Sequence, residues 1–382
     1  MSISPFKLER FFAKYEFSAK YLLSSSDIES LGMDELLKMG SPETLALWKS
    51  LRLGYTESQG NPQLRNEIAK GYENIRPEHV MIAAPEEAIF VAMHTLLEPG
   101  DHVIALSPTY QSLYEIARSI GCSLSSWDLQ PGENRWTIDL DKLEDCITDR
   151  TRLLVINFPN NPTGFLPSRQ EFDSILTIAD KHGLRIFSDE MYRQLEPEPS
   201  LRLPSVSDLY SRGISLSGLS KSYALPGLRI GWLTTREYGL IERCITFKDY
   251  TTICNSAPSE ILAIIAVQNT ARIVARNLEI IRANTIIAKQ FFDQHSDRLA
   301  WIPPRAGSIA FPRWLGPEPL AEFANELIEK QGIMIVPGNI FDYPGNHFRL
   351  GLGRINLNEA LERVDEYLLD TSNKRLASSQ DI

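Results

Sequence analysis

Lys221 stands between two serines in the stretch ISLSGLSKSYALPGLRIGW, residues 214–232, whose flanking runs are apolar enough to be buried. Lysine is ordinarily a solvated surface charge, so an amine held between such flanks is a candidate for chemistry. Where the chain alternates strands and helices, ligands bind beyond the carboxyl ends of the strands. The residues just after the apolar runs therefore deserve a chemical reading. Tyr110 follows HVIAL, Asn161 follows RLLVIN, Asp189 and Tyr192 follow LRIFS, and Lys221 follows GISLS. An aromatic ring, an amide, a carboxylate, a phenol and an amine converge on one rim. Each also has an ordinary structural role open to it. Asp189 suits a helix N-cap, NNPTG is good turn chemistry, Tyr110 packs well, and Lys221 can snorkel. The joint placement on consecutive strand ends is what argues for a site.

The elements that must position these residues are legible from about Val80 onward. VMIAA, HVIAL, RLLVIN, LRIFSD, GISLS and LRIGWL are short and apolar nearly throughout, as strands covered on both faces are. Between them lie helical patterns, among them PEEAIFVAMHTLL, TYQSLYEIARSIG and SRQEFDSILTIADKHG. This alternation predicts an α/β domain with crossover helices. After Pro258 the pattern changes to a long helix with one break, then short strands and a helix near residues 320–330. At 382 residues the chain exceeds what one core usually serves. The expected organisation is a large α/β domain over residues 41–289, a smaller α+β domain from residues 1–40 and 290–372, and a polar tail over 373–382.

The composition, 43% hydrophobic and 23% charged with a formal charge of -10, is that of a soluble globular chain. No basic block suggests a nucleic-acid partner, and no apolar run is long enough to span a bilayer. Cys122, Cys146, Cys244 and Cys254 form no metal spacing and read as free thiols in a reducing compartment. No signal peptide opens the chain, so a cytoplasmic location is expected.

Over residues 55–349 the sequence resembles the fold-type-I pyridoxal-phosphate (PLP) enzymes, specifically the class I and II aminotransferases. The matching residues are Tyr55 with Gly60, Asn161-Pro162-Thr163-Gly164, Asp189 with Tyr192, Ser220-Lys221 with Arg229 eight residues on, Pro337-Gly338, and Arg349. As an ordered set they are specific. The resemblance implies a mixed, mostly parallel sheet and a homodimer with shared active sites. It makes Lys221 the Schiff-base residue and general base, and pairs Asp189 with the ring nitrogen. Asn161 and Tyr192 would meet the ring's 3-oxygen, and Tyr110 would stack on the ring. Ser220 and Arg229 would hold the phosphate, with Tyr55 reaching the phosphate of the neighbouring subunit. Arg349, with Asn161 beside it, would take the substrate α-carboxylate.

The chain departs from this pattern in three places. Pro85 and Glu86 occupy the cofactor-binding position where the family offers phosphate-cradling N–H groups. Proline has no N–H, and Glu86 and Glu87 are acidic; both types also suit a helix start for ordinary reasons. Arg229, Ser220 and Tyr55 are then expected to carry more of the phosphate, with Glu87 turned outward. Gly218 replaces the family's serine three residues before the lysine. The glycine-proline turn at the substrate entrance is absent, and residues 24–27 read as a helix N-cap, with an approach to the substrate the other reading.

The function expected is transfer of an amino group from an amino acid to a 2-oxo acid. A β-lyase (C–S lyase) or a cyclising enzyme on the same fold is the alternative. An aminotransferase-like DNA-binding regulator has too little chain before Tyr55. A serine hydrolase lacks its motif, because Ser217 stands where GxSxG needs glycine. A Rossmann dehydrogenase lacks GxGxxG. Arg305 and Arg313 are candidates for an acidic substrate group, with plain surface placement the other reading.

Overall fold

The six apolar runs become strands of one seven-stranded sheet in the computed structural model, which describes residues 3–380, with side chains through residue 370. In chain order the strands are β1 (Val80–Ala83), β2 (His102–Ser107), β3 (Ser123–Asp128), β4 (Thr151–Asn157), β5 (Arg185–Asp189), β6 (Gly213–Gly218) and β7 (Gly231–Thr235). They lie in the order β1-β7-β6-β5-β4-β2-β3. β7 runs antiparallel to β1 and β6, and the remaining pairs are parallel. β1, β5 and β7 are buried along almost their whole length because helices cover both faces. β3 is different. It forms the edge, it is mostly exposed, and only Trp127 is fully buried. Its sequence, SLSSWD, carries no apolar run, which is why periodicity does not reveal it.

The helices follow from local signals. α1 spans Lys7–Tyr15 and α2 spans Pro85–Leu96, with proline at the first helical position. α3 (Ser112–Ile120) ends at Gly121, whose φ of 105° continues no helix. α4 (Arg169–Lys181) starts with a reciprocal capping box between Ser168 and Glu171. The long C-terminal pattern breaks once, at Asn269, into α5 (Ala257–Gln268) and α6 (Thr270–Gln294).

Beyond α6 a small antiparallel sheet forms from β8 (Ile309–Ala310), β9 (Val336–Pro337) and β10 (Phe348–Gly351), with β10 in the middle. The N-terminal segment joins it: Tyr21 bridges Ile333, and the Gly351 N–H donates to the Leu23 carbonyl at 2.7 Å. Residues 24–27 instead run as a turn followed by irregular chain and cap no helix. α1 packs toward the large sheet instead, its Lys7 N–H donating to Gln111 Oε1 at 2.8 Å. The last helix, α7, runs Leu357–Gln380; Asp381 and Ile382 lie outside the described residues. All four cysteines are free. Among the described residues no helix is long and apolar enough to cross a membrane.

Candidate active site

A cavity of about 380 Å³ opens at the carboxyl ends of β4, β5 and β6, between α1, the start of α2 and β10. Ten of the eleven site residues expected from the sequence line it: Pro85, Glu86, Tyr110, Asn161, Asp189, Tyr192, Ser220, Lys221, Arg229 and Arg349. Tyr55 does not. It is 92% exposed. Neither Arg305 nor Arg313 lines it; Arg305 instead donates to the Leu166 carbonyl at 3.2 Å.

Lys221 follows β6, and its Nζ donates to Ser26 Oγ at 2.8 Å. Burial pushes its ammonium down to about 8; Asp27 opposes this, Arg349 adds to it, and Glu9 and Asp189 oppose. Asp189 ends β5. Its Oδ1 accepts the Met191 N–H at 3.0 Å, so it caps a turn as well as lining the site. Burial pushes its carboxyl up to about 7, against the Met191 N–H and Lys221. Such a carboxylate is poised for a cationic partner. The Tyr192 ring lies 6.0 Å from Lys221 Nζ, and its hydroxyl is buried without a hydrogen-bond partner among the described residues.

The NPTG turn builds the opposite wall. Asn157 Oδ1 accepts the Asn161 N–H at 2.7 Å, and Asn157 Nδ2 donates to the Asp189 carbonyl at 3.0 Å. This ties the turn to β5. Gly164 has φ 68°, and a Cβ there would lie 2.3 Å from Pro304 Cβ, so only glycine closes the turn. Arg349, on β10, is fully buried. Its Nε donates to the Ser24 carbonyl at 2.9 Å and its Nη1 to Asn161 Oδ1 at 3.1 Å. Nη2 has no partner among the described residues. A buried guanidinium with a free N–H edge suits a carboxylate.

The third wall holds Ser220, Arg229, Pro85 and Glu86. The Ser220 hydroxyl is buried and without a partner among the described residues. Arg229 adopts φ 55° and is tethered by Nη1 to the Pro226 carbonyl at 3.0 Å. Glu87 leaves the cavity, as expected, and accepts from the Thr252 hydroxyl at 2.7 Å. Glu86 stays in it. Burial pushes its carboxyl up to about 7; the Ser112 hydroxyl opposes this, Glu9 and Asp189 reinforce it, and Arg229 opposes. At Gly218 a Cβ would lie 2.9 Å from Gly231 Cα and 3.1 Å from the Ile230 carbonyl oxygen, so the family's serine does not fit without displacement.

Sequence reasoning missed the α1 part of one wall and ranked its other part, residues 24–27, as a helix cap before an approach to the substrate. Leu8, Glu9, Phe12 and Glu16, on and just beyond α1, line the cavity together with Ser25, Ser26 and Asp27. Tyr110 donates its hydroxyl proton to Glu9 Oε1 at 2.9 Å, and the Arg349 guanidinium lies 5.6 Å from the Phe12 ring centroid. The signal was present in the spacing 8, 12, 16, one face of a helix.

The donor set fits PLP. Two buried hydroxyls without partners and a guanidinium edge await anionic or phenolic oxygens. Asp189 awaits a cation, and Lys221 is a desolvated amine. The misfit is confined to the wall of Pro85, Glu86 and Gly218.

Residues 23–366 match the family model described as aminotransferase class I and II. Among curated relatives, capreomycidine synthase of Streptomyces vinaceus is 30% identical over 370 residues, covering 94% of this chain and 93% of that protein. A PLP-dependent aminotransferase from Streptococcus suis superimposes with a TM-score of 0.90 at 31% identity, covering 97% of this chain and 99% of that one. The PLP-dependent cyclase OrfR shares the fold, with a TM-score of 0.88 at 24% identity over 97% of this chain and 98% of that one. The chain is thus a member of the class I and II aminotransferase family of PLP-dependent enzymes.

Proposed function

We propose that the protein transfers the amino group of an amino acid to a 2-oxo acid, with PLP held covalently at Lys221. The observation that carries this reading is Lys221 Nζ in the cavity with Asp189, Tyr192 and Arg349, its ammonium pushed down to about 8. An amine titrating there is available as nucleophile and as base near neutral pH.

When bound, the cofactor supplies an electron-accepting ring that labilises bonds at the substrate Cα. Asp189 would hold the ring nitrogen, Asn161 and Tyr192 the 3-oxygen, Tyr110 the ring face, and Ser220 and Arg229 the phosphate. Arg349 would take the substrate α-carboxylate on its free Nη2 edge, keeping Nη1 on Asn161. That anchor fixes Cα within reach of Lys221 Nζ, which would carry the Cα proton. α1 covers the cavity with Leu8 and Phe12, which keeps water from the transferring proton.

The homodimer is part of the same proposal. Leu53 (86% exposed), Tyr55 and Tyr250 (89%) belong to adjoining segments, linked by a Thr56 hydroxyl bond to the Asn255 carbonyl. Such an apolar surface suits a second copy of the chain, and would carry Tyr55 to the partner's phosphate site.

One observation favours a second reading. One relative matched nearly end to end is a capreomycidine synthase, and a neighbour in fold is a cyclase; a cyclising or eliminating reaction would use the same Lys221, Asp189 and Arg349. Borohydride reduction followed by mass analysis tests the common core: an adduct on Lys221 is expected, absent in Lys221→Ala. Product analysis divides the outcomes. Transamination consumes a 2-oxo acid mole for mole, whereas a cyclised product, or pyruvate and ammonia, forms without any acceptor.

A further inference from the structure

The cavity wall that sequence reasoning missed is acidic in a way the reaction does not use. Glu9 and Glu16 lie seven residues apart, two helical turns or roughly 10 Å along α1, with Phe12 between them. Both line the cavity, as does Asp27. Asp27 is satisfied by Arg354, 2.9 Å away. Among the described residues Glu9 and Glu16 form no ion pair; Glu9 accepts only the neutral Tyr110 hydroxyl. Burial, then Asp27 and then Glu9, lift the Glu16 carboxyl above its ordinary value, while Arg354 and Lys221 oppose. These are like charges lining one cavity, Glu16 partly buried and Glu9 at its exposed rim. The nearby ammonium, Lys221, is the group committed to the cofactor, so it does not serve as their lasting counterion.

An independent observation shows where the other end of a ligand sits. Arg349 is fully buried in the same cavity with Nη2 unpartnered, and its guanidinium lies beside Phe12. A carboxylate on Arg349 would start next to the apolar middle of the α1 face. A side chain leading from there along Phe12 meets a carboxylate in either direction.

We propose that the carboxylates on either side of Phe12, Glu16 with Asp27 near it and Glu9 at the other end, recognise a positively charged substrate side chain, so that the amino donor is a cationic amino acid of lysine, ornithine or arginine type. An acidic side chain would face the carboxylates of Glu9 and Glu16, and a neutral one would leave those two without an ionic partner. This inference deepens the amino-acid reading proposed above and rests on it.

The test titrates the PLP-loaded enzyme, watching the cofactor's visible absorbance, with L-arginine, L-ornithine and L-lysine against L-citrulline, L-norleucine and L-glutamate. Citrulline matches arginine in shape but lacks the charge. At least one cationic donor should perturb the spectrum at a concentration about tenfold or more below its neutral counterpart, the effect of one charge-assisted hydrogen bond. In Glu16→Gln or Glu9→Gln that ratio should fall toward one, with the response to neutral amino acids unchanged. A neutral or acidic donor acting at equal or lower concentration than every cationic one would overturn the inference alone, as would a ratio unaffected in both variants. Silence from all the amino acids, cationic and otherwise, would overturn the amino-acid reading as well.

Discussion

Replacing Glu86 with glutamine removes a charge while keeping the side chain's shape, and it isolates the least expected feature of the site. Glu86 lies in the first turn of α2 and faces the cavity that holds Ser220 and Arg229. Its carboxyl is pushed from 4.5 up to about 7, chiefly by burial. At about 1.4 kcal/mol per pH unit, that displacement corresponds to roughly 3 kcal/mol. For a carboxyl whose value is raised by folding, the folded chain holds the proton more tightly than the unfolded one. The penalty is therefore absent below about pH 4.5, grows as pH rises, and is full above about pH 7.

Glu86→Gln should thus stabilise the cofactor-free protein by about 3 kcal/mol near pH 8 and hardly at all near pH 4.5. With an unfolding entropy of about 2.1 cal/mol/K per residue, or roughly 0.8 kcal/mol/K for the chain, the gain appears as a rise of about 4 °C in melting temperature. The assay is thermal unfolding of both proteins across this pH range. PLP affinity gives a second readout: removing a like charge beside the phosphate should tighten binding about tenfold near pH 8, equivalent to 1.4 kcal/mol. An equal gain in melting temperature at both ends of the range, or none near pH 8, would refute the electrostatic account.

The remaining variants probe the other walls. Gly218→Ser should lower stability by about 1–3 kcal/mol by crowding the Gly231 backbone; an unchanged melting temperature would show that the β6–β7 pair yields freely. Tyr192→Phe removes a buried hydroxyl that has no partner, so the cofactor-free protein should be as stable or about 1 kcal/mol more so, while the absorbance of the loaded enzyme shifts. A clear loss of stability without cofactor would mean that the hydroxyl is bonded after all. Arg229→Ala should release most of the PLP on gel filtration, and full retention would show that the phosphate is held elsewhere.

The strand ends were legible because burial on both faces of a parallel sheet leaves apolar runs bounded by polar residues, and the residues at those bounds are the ones the cavity gathers. Asp189, Asn161 and Lys221 could be found this way before any geometry was known. β3 could not, because an edge strand with one wet face needs no apolar run. The α1 wall was missed for another reason. The spacing of Leu8, Phe12 and Glu16 marks one helix face but does not show that the path of residues 5–27 brings that face, with Glu9, to the cavity. Ser26 illustrates the same point: a serine in SSSD is indistinguishable from a cap until Lys221 Nζ lies 2.8 Å from it.

The departures around the phosphate position looked like separate losses in the sequence, and packing joins them into one. A Cβ on Gly231 would lie 2.9 Å from Pro85 Cγ and 2.8 Å from the Ser217 carbonyl oxygen. A Cβ on Gly218 would in turn lie 2.9 Å from Gly231 Cα. The proline ring thus sits against Gly231, and the space a serine at 218 would need is taken by the β7 backbone at the same glycine. The consequence is chemical. With the Pro85 N–H and a serine hydroxyl gone together, the protein's own donors on this wall reduce to the Ser220 hydroxyl, Arg229 and the N–H groups of the first turn of α2, set against Glu86. An anion bound there has less neutralisation from its own chain than the family pattern offers; in the homodimer proposed above, a contribution from Tyr55 of a second copy would then matter more, and PLP retention would fall on dimer dissociation.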